Sequence, residues 1–289
     1  MKTLLTILNA KFIQSSLALR CLTTACAHRG VVVEAAEYTI NQNPYDILRH
    51  IAAFKADVIG FSCYIWNIEM TCHIISLVKD VFPKTKVFVG GPEVSYTARK
   101  VLEDCPQIDY VLQGEGEVMV PDFLTALEKG GDGTEIPGVL GRIDGTIKGD
   151  ETFQEIDDLD SLPFPYENQD FRDLDHRIMY YESSRGCPFH CQYCLSGMND
   201  RVRFRSVPLV LQELQAFVDA GVSQVKFVDR TFNCSPHHHR PLVEYMIGVE
   251  KKVNFHLEIE PAVLTDDDID LLAKPQGTHP IGNGHSDDV

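Results

Sequence analysis

The stretch from Cys187 to Cys194, CPFHCQYC, places three thiols on one short length of chain. They belong to Cys187, Cys191 and Cys194, at intervals of four and then three residues. A cubane [4Fe–4S] cluster that only carries electrons takes four protein thiolates. Three compact thiolates with no obvious fourth partner therefore indicate a cluster whose last iron is open to a small molecule. That arrangement is typical of an enzyme.

Zinc is the alternative for these thiols. A zinc site usually shows paired Cys-x-x-Cys knuckles or a second Cys/His pair at a regular distance. Only His190, Cys234 and the run His237–His239 lie near enough in sequence to serve as further ligands. Three consecutive histidines at a helix start would point in different directions, so we predict a solvated turn for them. A chance grouping of structural cysteines fits less well, because Pro188 and His190 make the loop polar and stiff.

Composition limits the class of protein. The 289 residues are 44% apolar, enough for two domains with their own cores, which excludes general disorder. The net charge of −16 argues against a surface built to bind nucleic acid. The first apolar run, Met1–Asn9, is too short to span a bilayer and lacks a cleavage site, which predicts a soluble protein with no membrane partner. Nine cysteines, an odd number without a signal peptide, favour a reducing cytoplasm over a disulfide scaffold.

Residues 1–135 alternate between strand and helix patterns. Apolar runs predict strands at Thr3–Leu8, Val31–Ala36, Val58–Cys63, Val87–Val89 and Tyr110–Leu112. Apolar positions three and four residues apart predict helices at Ser15–Ala27, Pro44–Phe54, Glu69–Val81, Thr97–Leu102 and Val118–Leu127. Five βα units with continuously apolar strands predict an α/β domain, a doubly wound parallel sheet of the flavodoxin- or Rossmann-like type.

In such a sheet, ligands bind beyond the carboxyl ends of the strands. The loops after the third, fourth and fifth predicted strands supply the candidate binding residues Ser62, Gly90, Gly91, Gly114, Glu115 and Gly116. Glycines after strands also make tight turns, and that is the alternative for any one of them. Three such loops on one edge indicate a ligand site.

Residues 136–175 are predicted to be a hairpin and a linker. The segment Val139–Ile147 alternates around Asp144-Gly145, a pair typical of a hairpin turn. The acidic, proline-bearing run Asp157–Tyr166 then suits a connector between domains.

Over residues 176–274 the βα pattern restarts. Three predicted strands are Arg177–Ser183, Gln224–Val228 and Val253–Ile259, and three predicted helices are Val207–Phe217, Pro241–Val249 and Asp266–Ala273. The cysteine loop follows the first of these strands. Active residues of βα barrels lie at the carboxyl ends of strands, so this is part of a barrel with the thiols on its active edge.

The motif Cys187-x-x-x-Cys191-x-x-Cys194, after a strand and with Tyr193 before the third cysteine, resembles the signature loop of the radical SAM superfamily. The resemblance implies that the three cysteines hold a [4Fe–4S] cluster whose open iron is chelated by S-adenosylmethionine (SAM). Reductive cleavage of SAM would give a 5′-deoxyadenosyl radical, with an electron donor such as flavodoxin or ferredoxin. Tyr193 is then expected to lie against the adenine.

Two strand ends carry further expected contacts. Asp229 follows the second barrel strand, where the family binds the SAM amino group, and Glu258 follows the third as a candidate contact to SAM or substrate. A carboxylate at a strand end is also commonly a solvated cap. No catalytic residue is assigned from the sequence.

The first domain, the linker Leu159–Pro165 and the cysteine loop together resemble the cobalamin-binding-domain radical SAM proteins, over residues 1–272. This resemblance implies cobalamin in the first domain and methyl transfer to a small-molecule or macromolecular substrate. The loop Leu8–Ser15 lacks the Asp-x-His-x-x-Gly pattern by which many corrinoid domains supply an axial histidine. Cobalamin here would therefore lack that ligand.

A radical SAM core resembles a six-unit part-barrel, and three units are counted here. Residues 275–289 have neither strand nor helix pattern, which predicts a disordered tail and a truncated member with an incomplete barrel. The alternative from another class is a corrinoid- or nucleotide-binding module with an accessory Fe–S or zinc site and no radical chemistry.

Overall fold

The computed structural model describes residues 1–11, 14–167, 170–171, 177–198, 201–250 and 253–276. The chain divides into two compact units, one of residues 1–157 and 161–166 and one of residues 158–160 and 167–289. Among the described residues, every helix is too short or too polar to cross a bilayer. Of the predicted tail, residues 275–289, residues 277–289 lie outside the described residues.

The first unit is built on one seven-stranded sheet. Its strands are β1 Thr3–Asn9, β2 Glu34–Thr39, β3 Val58–Ser62, β4 Lys86–Gly90, β5 Tyr110–Leu112, β6 Val139–Ile143 and β7 Thr146–Gly149. Their order in the sheet is β2-β1-β3-β4-β5-β6-β7. The first five strands are parallel, in the flavodoxin-like order. The predicted doubly wound sheet is confirmed.

Helices cover both faces of this sheet. They are α1 Leu17–His28, α2 Pro44–Phe54, α3 Ile68–Val81, α4 Pro92–Ser95, α5 Ala98–Asp104 and α6 Gly116–Glu128. In β1, Leu4 and Leu8 belong to the core on one face, whereas Leu5 and Ile7 belong to the core on the other. Because both faces are buried, the central strands are apolar at nearly every position, which is the pattern the sequence shows.

The edge strand β2 is displaced from its prediction. The apolar run at Val31–Ala36 predicted a strand there, but pairing with β1 places the strand at Glu34–Thr39. Val32 is 84% exposed. An edge strand needs less burial than a central one, so the apolar run did not mark its limits.

The predicted hairpin is confirmed, and it extends the first sheet. β6 pairs antiparallel with both β5 and β7. At its turn Asp144 has φ 51° and Gly145 has φ 77°, the two positive values that a type I′ turn requires.

The second unit contains three βα units. Its strands are β8 Met179–Tyr181, β9 Ser184–Arg185, β10 Arg203–Phe204, β11 Gln224–Phe227 and β12 Asn254–His256, and its helices are α7 Val207–Asp219, α8 Pro236–Gly248 and α9 Asp266–Leu272. β8, β11 and β12 form a parallel sheet with β11 in the centre. This is the part-barrel arrangement that the sequence predicted.

The histidine run lies in a helix. α8 begins at Pro236, five residues before the predicted start, because proline is well suited to the first helical position. His238 and His239 are only 5% and 4% exposed. The predicted solvated turn is therefore wrong for these two residues, although His237 is exposed.

Candidate functional site

The cysteine loop connects β9 to β10, which pair antiparallel. Gly186, directly before the first cysteine, has φ 99°, and a Cβ atom there would lie 2.2 Å from the main-chain oxygen of Arg201. The chain thus leaves the antiparallel pairing of β9 and β10 at a position that only glycine fits. No sequence pattern predicted this pairing of β9 with β10, because strands of two residues have no period.

The thiol donors of the loop differ in exposure. Cys187 is partly buried, with its Sγ 3.3 Å from Thr231 Oγ1, whereas Cys191 and Cys194 are exposed. The Cys194 main-chain N–H donates to the Cys191 oxygen at 2.9 Å, so these two share one turn. All nine cysteines lie in the described part of the chain, and none is in a disulfide.

The donor set fits an iron–sulfur cluster by its chemistry. Three thiols outside disulfides on one loop supply the thiolate ligands that a [4Fe–4S] cluster takes. Within the described ranges, no three His, Cys, Asp or Glu side chains are gathered into a metal-binding group. Tyr193 is 93% exposed, so its ring is open to a ligand. The assignment of Cys187, Cys191 and Cys194 as ligands stays a prediction.

A buried hydrogen-bond network supports the start of this loop. Asp229, after β11, is 1% exposed and accepts hydrogen bonds from the Ser183 main-chain N–H at 3.1 Å, from Ser183 Oγ at 2.9 Å and from Ser184 Oγ. His238 Nε2 lies 3.0 Å from the same Ser183 Oγ. Asp229 thus faces the two serines that lead into β9. A contact between Asp229 and the SAM amino group stays a prediction.

Burial shifts the pKa of both ionisable members of this network. It raises the pKa of Asp229 to about 6, although hydrogen bonds from Ser183 and Ser184 oppose the rise. It lowers the pKa of His238 to about 4, because the buried imidazole resists protonation. The network therefore holds an ionised carboxylate and a neutral histidine at pH 7.

The segment 229–233 also contacts the chain that follows β12. The Phe232 main-chain N–H donates to the Glu258 oxygen at 2.9 Å, and the Asn233 side chain bonds the main chain of Glu260 at 2.9 and 2.8 Å. Together with the contact between Thr231 and Cys187, these bonds link the ends of all three parallel strands. Sequence reasoning found Asp229 but missed Thr231 as the residue beside the thiol.

The Glu258 side chain is exposed and pairs with basic side chains of β11 and β12. Its Oε1 lies 3.2 Å from Lys226 Nζ and 3.3 Å from His256 Nε2. Hydrogen bonds from Lys226 and His256 lower the pKa of the carboxyl. The arrangement fits the solvated cap described above, and a contact to SAM or substrate stays a prediction.

A buried ion pair anchors the chain after β10. Arg205 Nη2 lies 3.1 Å from Glu213 Oε1, with side chains 8% and 5% exposed, and the Tyr181 hydroxyl donates to Glu213 Oε2. Burial raises the pKa of Glu213. Because the Arg205 N–H donates to the Ser183 oxygen at 2.9 Å, this pair fixes both flanks of the cysteine loop.

In the first unit, two candidate glycines pack against other loops. Gly91 has φ 104°, and a Cβ atom would lie 2.6 Å from the Cys63 main-chain oxygen. Gly114 has φ 108°, and a Cβ atom would lie 2.1 Å from the Gln154 oxygen. The protein's own packing requires glycine at both positions. The tight-turn alternative therefore accounts for them without a ligand.

Gly114→Ala is expected to lower the free energy of unfolding by about 2 kcal/mol, because alanine meets both a positive φ and the Gln154 backbone. Gly90→Ala is the matched control, since the nearest atom to its added Cβ is 3.5 Å away and its φ is ordinary. Urea unfolding of both variants measures the difference. Equal losses in the two variants would contradict the packing argument.

The other candidate binding residues at the carboxyl ends of β4 and β5 also differ in how closely the rest of the protein packs against them. A Cβ atom at Gly116 would lie 2.8 Å from Leu22 Cδ2, whereas the surroundings of Gly90 leave more room. The Glu115 side chain accepts a hydrogen bond from the Ile156 N–H at 2.9 Å. Of the five candidates after β4 and β5, Gly90 therefore leaves the most space for a ligand.

The loop after β3 carries an aromatic pair that the sequence analysis missed. Tyr64 and Trp66 stack with ring centroids 4.4 Å apart, and Trp66 is 46% exposed. Trp66 Nε1 and Asn67 Nδ2 both donate to the Leu8 oxygen, at 3.3 and 3.1 Å, and Asn67 also donates to the Ser62 oxygen at 3.0 Å. These bonds hold an exposed aromatic surface at the carboxyl ends of β1 and β3. An aromatic residue just beyond a strand end was the available signal.

The comparisons with known proteins match both units. A model of the B12 binding domain matches residues 4–124, and a model of the radical SAM superfamily matches residues 181–279. An open parallel sheet of the B12-binding type followed by a radical SAM part-barrel defines a class of proteins that combine these two domains. Residues 4–124 belong to the B12-binding domain family and residues 181–279 to the radical SAM superfamily. The predicted resemblance is confirmed.

Curated relatives of this chain include methyltransferases. The chain is 29% identical over 199 residues to an uncharacterised methyltransferase of Pyrococcus horikoshii. The match covers 65% of this chain and 42% of that protein. It is 29% identical over 194 residues to the cobalamin-dependent radical SAM methyltransferase TokK of Streptomyces tokunonensis, covering 63% of this chain and 28% of that one. The chain thus spans less than half the length of these relatives.

Solved structures share the fold. The methyltransferase TsrM from Kitasatospora setae, with cobalamin and a [4Fe–4S] cluster bound, matches with a TM-score of 0.76 at 19% identity, over 94% of this chain and 58% of that one. OxsB, a cobalamin-dependent SAM radical enzyme, matches with a TM-score of 0.74 at 18% identity, over 93% and 41%. The two matched domains imply cobalamin, a [4Fe–4S] cluster and SAM as cofactors. They favour a radical SAM protein over a binding module with an accessory metal site.

Proposed function

We propose that this chain forms the cofactor-binding part of a cobalamin-dependent radical SAM methyltransferase. The observation that carries the proposal is the loop of three thiols beyond β8, in a unit that matches the radical SAM model and follows a B12-binding unit. The methyltransferase names of several relatives support the reaction type. The substrate is unidentified.

Six residues in the loop or in contact with its start have roles in the proposal. When bound, the cluster supplies the electron that cleaves SAM, and the corrinoid carries a methyl group. Cys187, Cys191 and Cys194 hold the cluster, and Thr231 orients Cys187 through its hydroxyl. Tyr193 offers its exposed ring to the adenine. Asp229 supports the loop by accepting hydrogen bonds from the two serines that precede the loop.

The proposed chemistry needs an electron donor and reduced thiols. A donor of the flavodoxin or ferredoxin class would supply the electron, and a reducing compartment such as the cytoplasm would keep the nine thiols reduced. The net charge of −16 favours a substrate other than a nucleic acid.

Anaerobic reconstitution with iron and sulfide tests the proposal. We expect about four irons and four sulfides per chain, with an EPR spectrum of the reduced cluster that changes when SAM is added. Formation of 5′-deoxyadenosine or S-adenosylhomocysteine from SAM then measures turnover. Zinc at one ion per chain, with no SAM-dependent EPR change, would contradict the proposal.

Trp66→Ala is expected to weaken hydroxocobalamin binding by about 5- to 10-fold, because a flat apolar macrocycle loses a large exposed aromatic surface at the carboxyl edge. An absorbance titration of the full chain measures the affinity. Val81→Ala is the control, since Val81 is 54% exposed at the last residue of α3, which runs away from that edge. Equal affinities in the wild type and Trp66→Ala would show that Trp66 does not contact the corrinoid.

A further inference from the structure

Two cysteines of the first unit lie next to each other. Cys72 is in α3, and Cys105 is the residue at which α5 ends. Their sulfurs are 3.8 Å apart, and both side chains are partly buried. The two residues are 33 positions apart in sequence, so the fold and not a local turn brings them together.

The distance between the two sulfurs suits a covalent bond after a small movement. A disulfide needs the sulfurs at about 2.05 Å, so they must approach by roughly 1.8 Å. Cys105 stands directly after the last turn of α5, so its main chain is outside the helical hydrogen bonds on one side. No element needs to unfold for this approach.

The third thiol of this region remains outside the reaction. Cys63 is completely buried, and the nearby Cys72 and Cys105 add to the effect of burial that raises its pKa. An oxidant in solution cannot reach that sulfur, whereas Cys72 and Cys105 keep partial exposure. Only these two can react as a pair.

We propose that Cys72 and Cys105 form a reversible disulfide when the chain meets a low-molecular-weight disulfide such as oxidised glutathione. One of the two thiolates attacks the oxidant, which forms a mixed disulfide and releases the first thiol. The second cysteine sulfur then attacks the mixed disulfide, which forms the Cys72–Cys105 bond and releases the second thiol. The two protein thiols are oxidised, the oxidant is reduced to two thiols, and their two protons pass to those products.

Cys72 is a weak nucleophile near neutral pH. Burial and the neighbouring Cys105 raise the pKa of Cys72 to about 12, so little of it is thiolate. Attack by Cys72 on the oxidant is therefore faster at higher pH.

The disulfide would constrain a loop at the carboxyl edge of the first sheet, where the candidate binding residues lie. The chain between the two cysteines contains β4, α4 and α5, and it includes Gly90 at the end of β4 and Gly91 after it. Closing the bond constrains this whole segment between α3 and the end of α5. The pair is thus a modification site that stiffens one of the loops at the carboxyl edge of the sheet.

Peptide mapping of the full chain tests the proposal. The chain is incubated with oxidised glutathione at pH 8, alkylated and digested, and the fragments are analysed by mass spectrometry. We expect a fragment joining Cys72 to Cys105, two hydrogens lighter than the separate peptides and lost after dithiothreitol treatment. Separate glutathione adducts on the two residues, or alkylation of both while the exposed Cys191 has reacted, would overturn the proposal.

A second measurement detects the constraint itself. Oxidation is expected to raise the Tm of the wild type by roughly 5 °C, because the cross-link restricts the unfolded chain. Cys105→Ala should lose this rise, whereas Cys21→Ala, which removes a partly buried thiol elsewhere in the same unit, should keep it. An equal rise in Cys105→Ala would assign the effect to other cysteines and overturn the role of this pair.

Discussion

Cys191→Ser is expected to lower the iron bound after anaerobic reconstitution from about four per chain to less than one, and to abolish SAM cleavage. Cys191 is exposed and shares a turn with Cys194, so its loss removes one of three thiolates and leaves nothing on that turn to replace it. Serine keeps the size of the side chain and its hydrogen bonding. Iron and sulfide assays measure the outcome.

Cys234→Ser is the informative control for this prediction. Burial raises the pKa of the Cys234 thiol, and Cys187 is close enough to add to that rise. Cys234 is therefore the thiol in the second unit that could serve as a fourth ligand. If the cluster has an open iron for SAM, Cys234→Ser keeps its iron. Loss of iron in Cys234→Ser, equal to that in Cys191→Ser, would show a cluster closed by four cysteines.

The central strands could be predicted closely, and the edge strand could not. β3 and β5 begin where the apolar runs begin, because strands buried on both faces must be apolar throughout. β2 is paired on one side only, and its limits follow from its register with β1. Register depends on both paired strands, so the pattern of one strand alone does not determine it.

The sequence located the candidate site, but it did not reveal the buried hydrogen bonds that support the site. The spacing of Cys187, Cys191 and Cys194 marks the loop, since the three thiols are neighbours along the chain. The network beneath it joins Ser183 to Asp229 and His238, which are 46 and 55 residues away. Local patterns predicted a solvated turn at His238, because burial there depends on contacts that only the folded second unit provides.

This network gives the second unit two opposite responses to pH, one from each ionisable group. The pKa of Asp229 is raised from 3.8 to about 6, so its favourable contribution to stability is complete below pH 3.8 and is lost as the pH rises through about 6. The pKa of His238 is lowered from 6.5 to about 4, so its contribution is complete above pH 6.5 and is lost as the pH falls through about 4. Between pH 7 and pH 5 the two effects largely cancel in the wild type.

Single substitutions should separate these two contributions. Between pH 7 and pH 5, Asp229→Asn is expected to lose about 1 kcal/mol more unfolding free energy than the wild type, because only the histidine effect remains. His238→Gln is expected to lose about 2 kcal/mol less than the wild type, because the carboxyl effect remains alone. Urea unfolding of the cluster-free chains at both pH values measures the differences. Asparagine and glutamine keep a hydrogen-bonding group beside Ser183, so the variants change the titration more than the packing. Parallel pH profiles in all three proteins would mean that neither group is buried as the structure places it, and the loop would then lack the support on which the site depends.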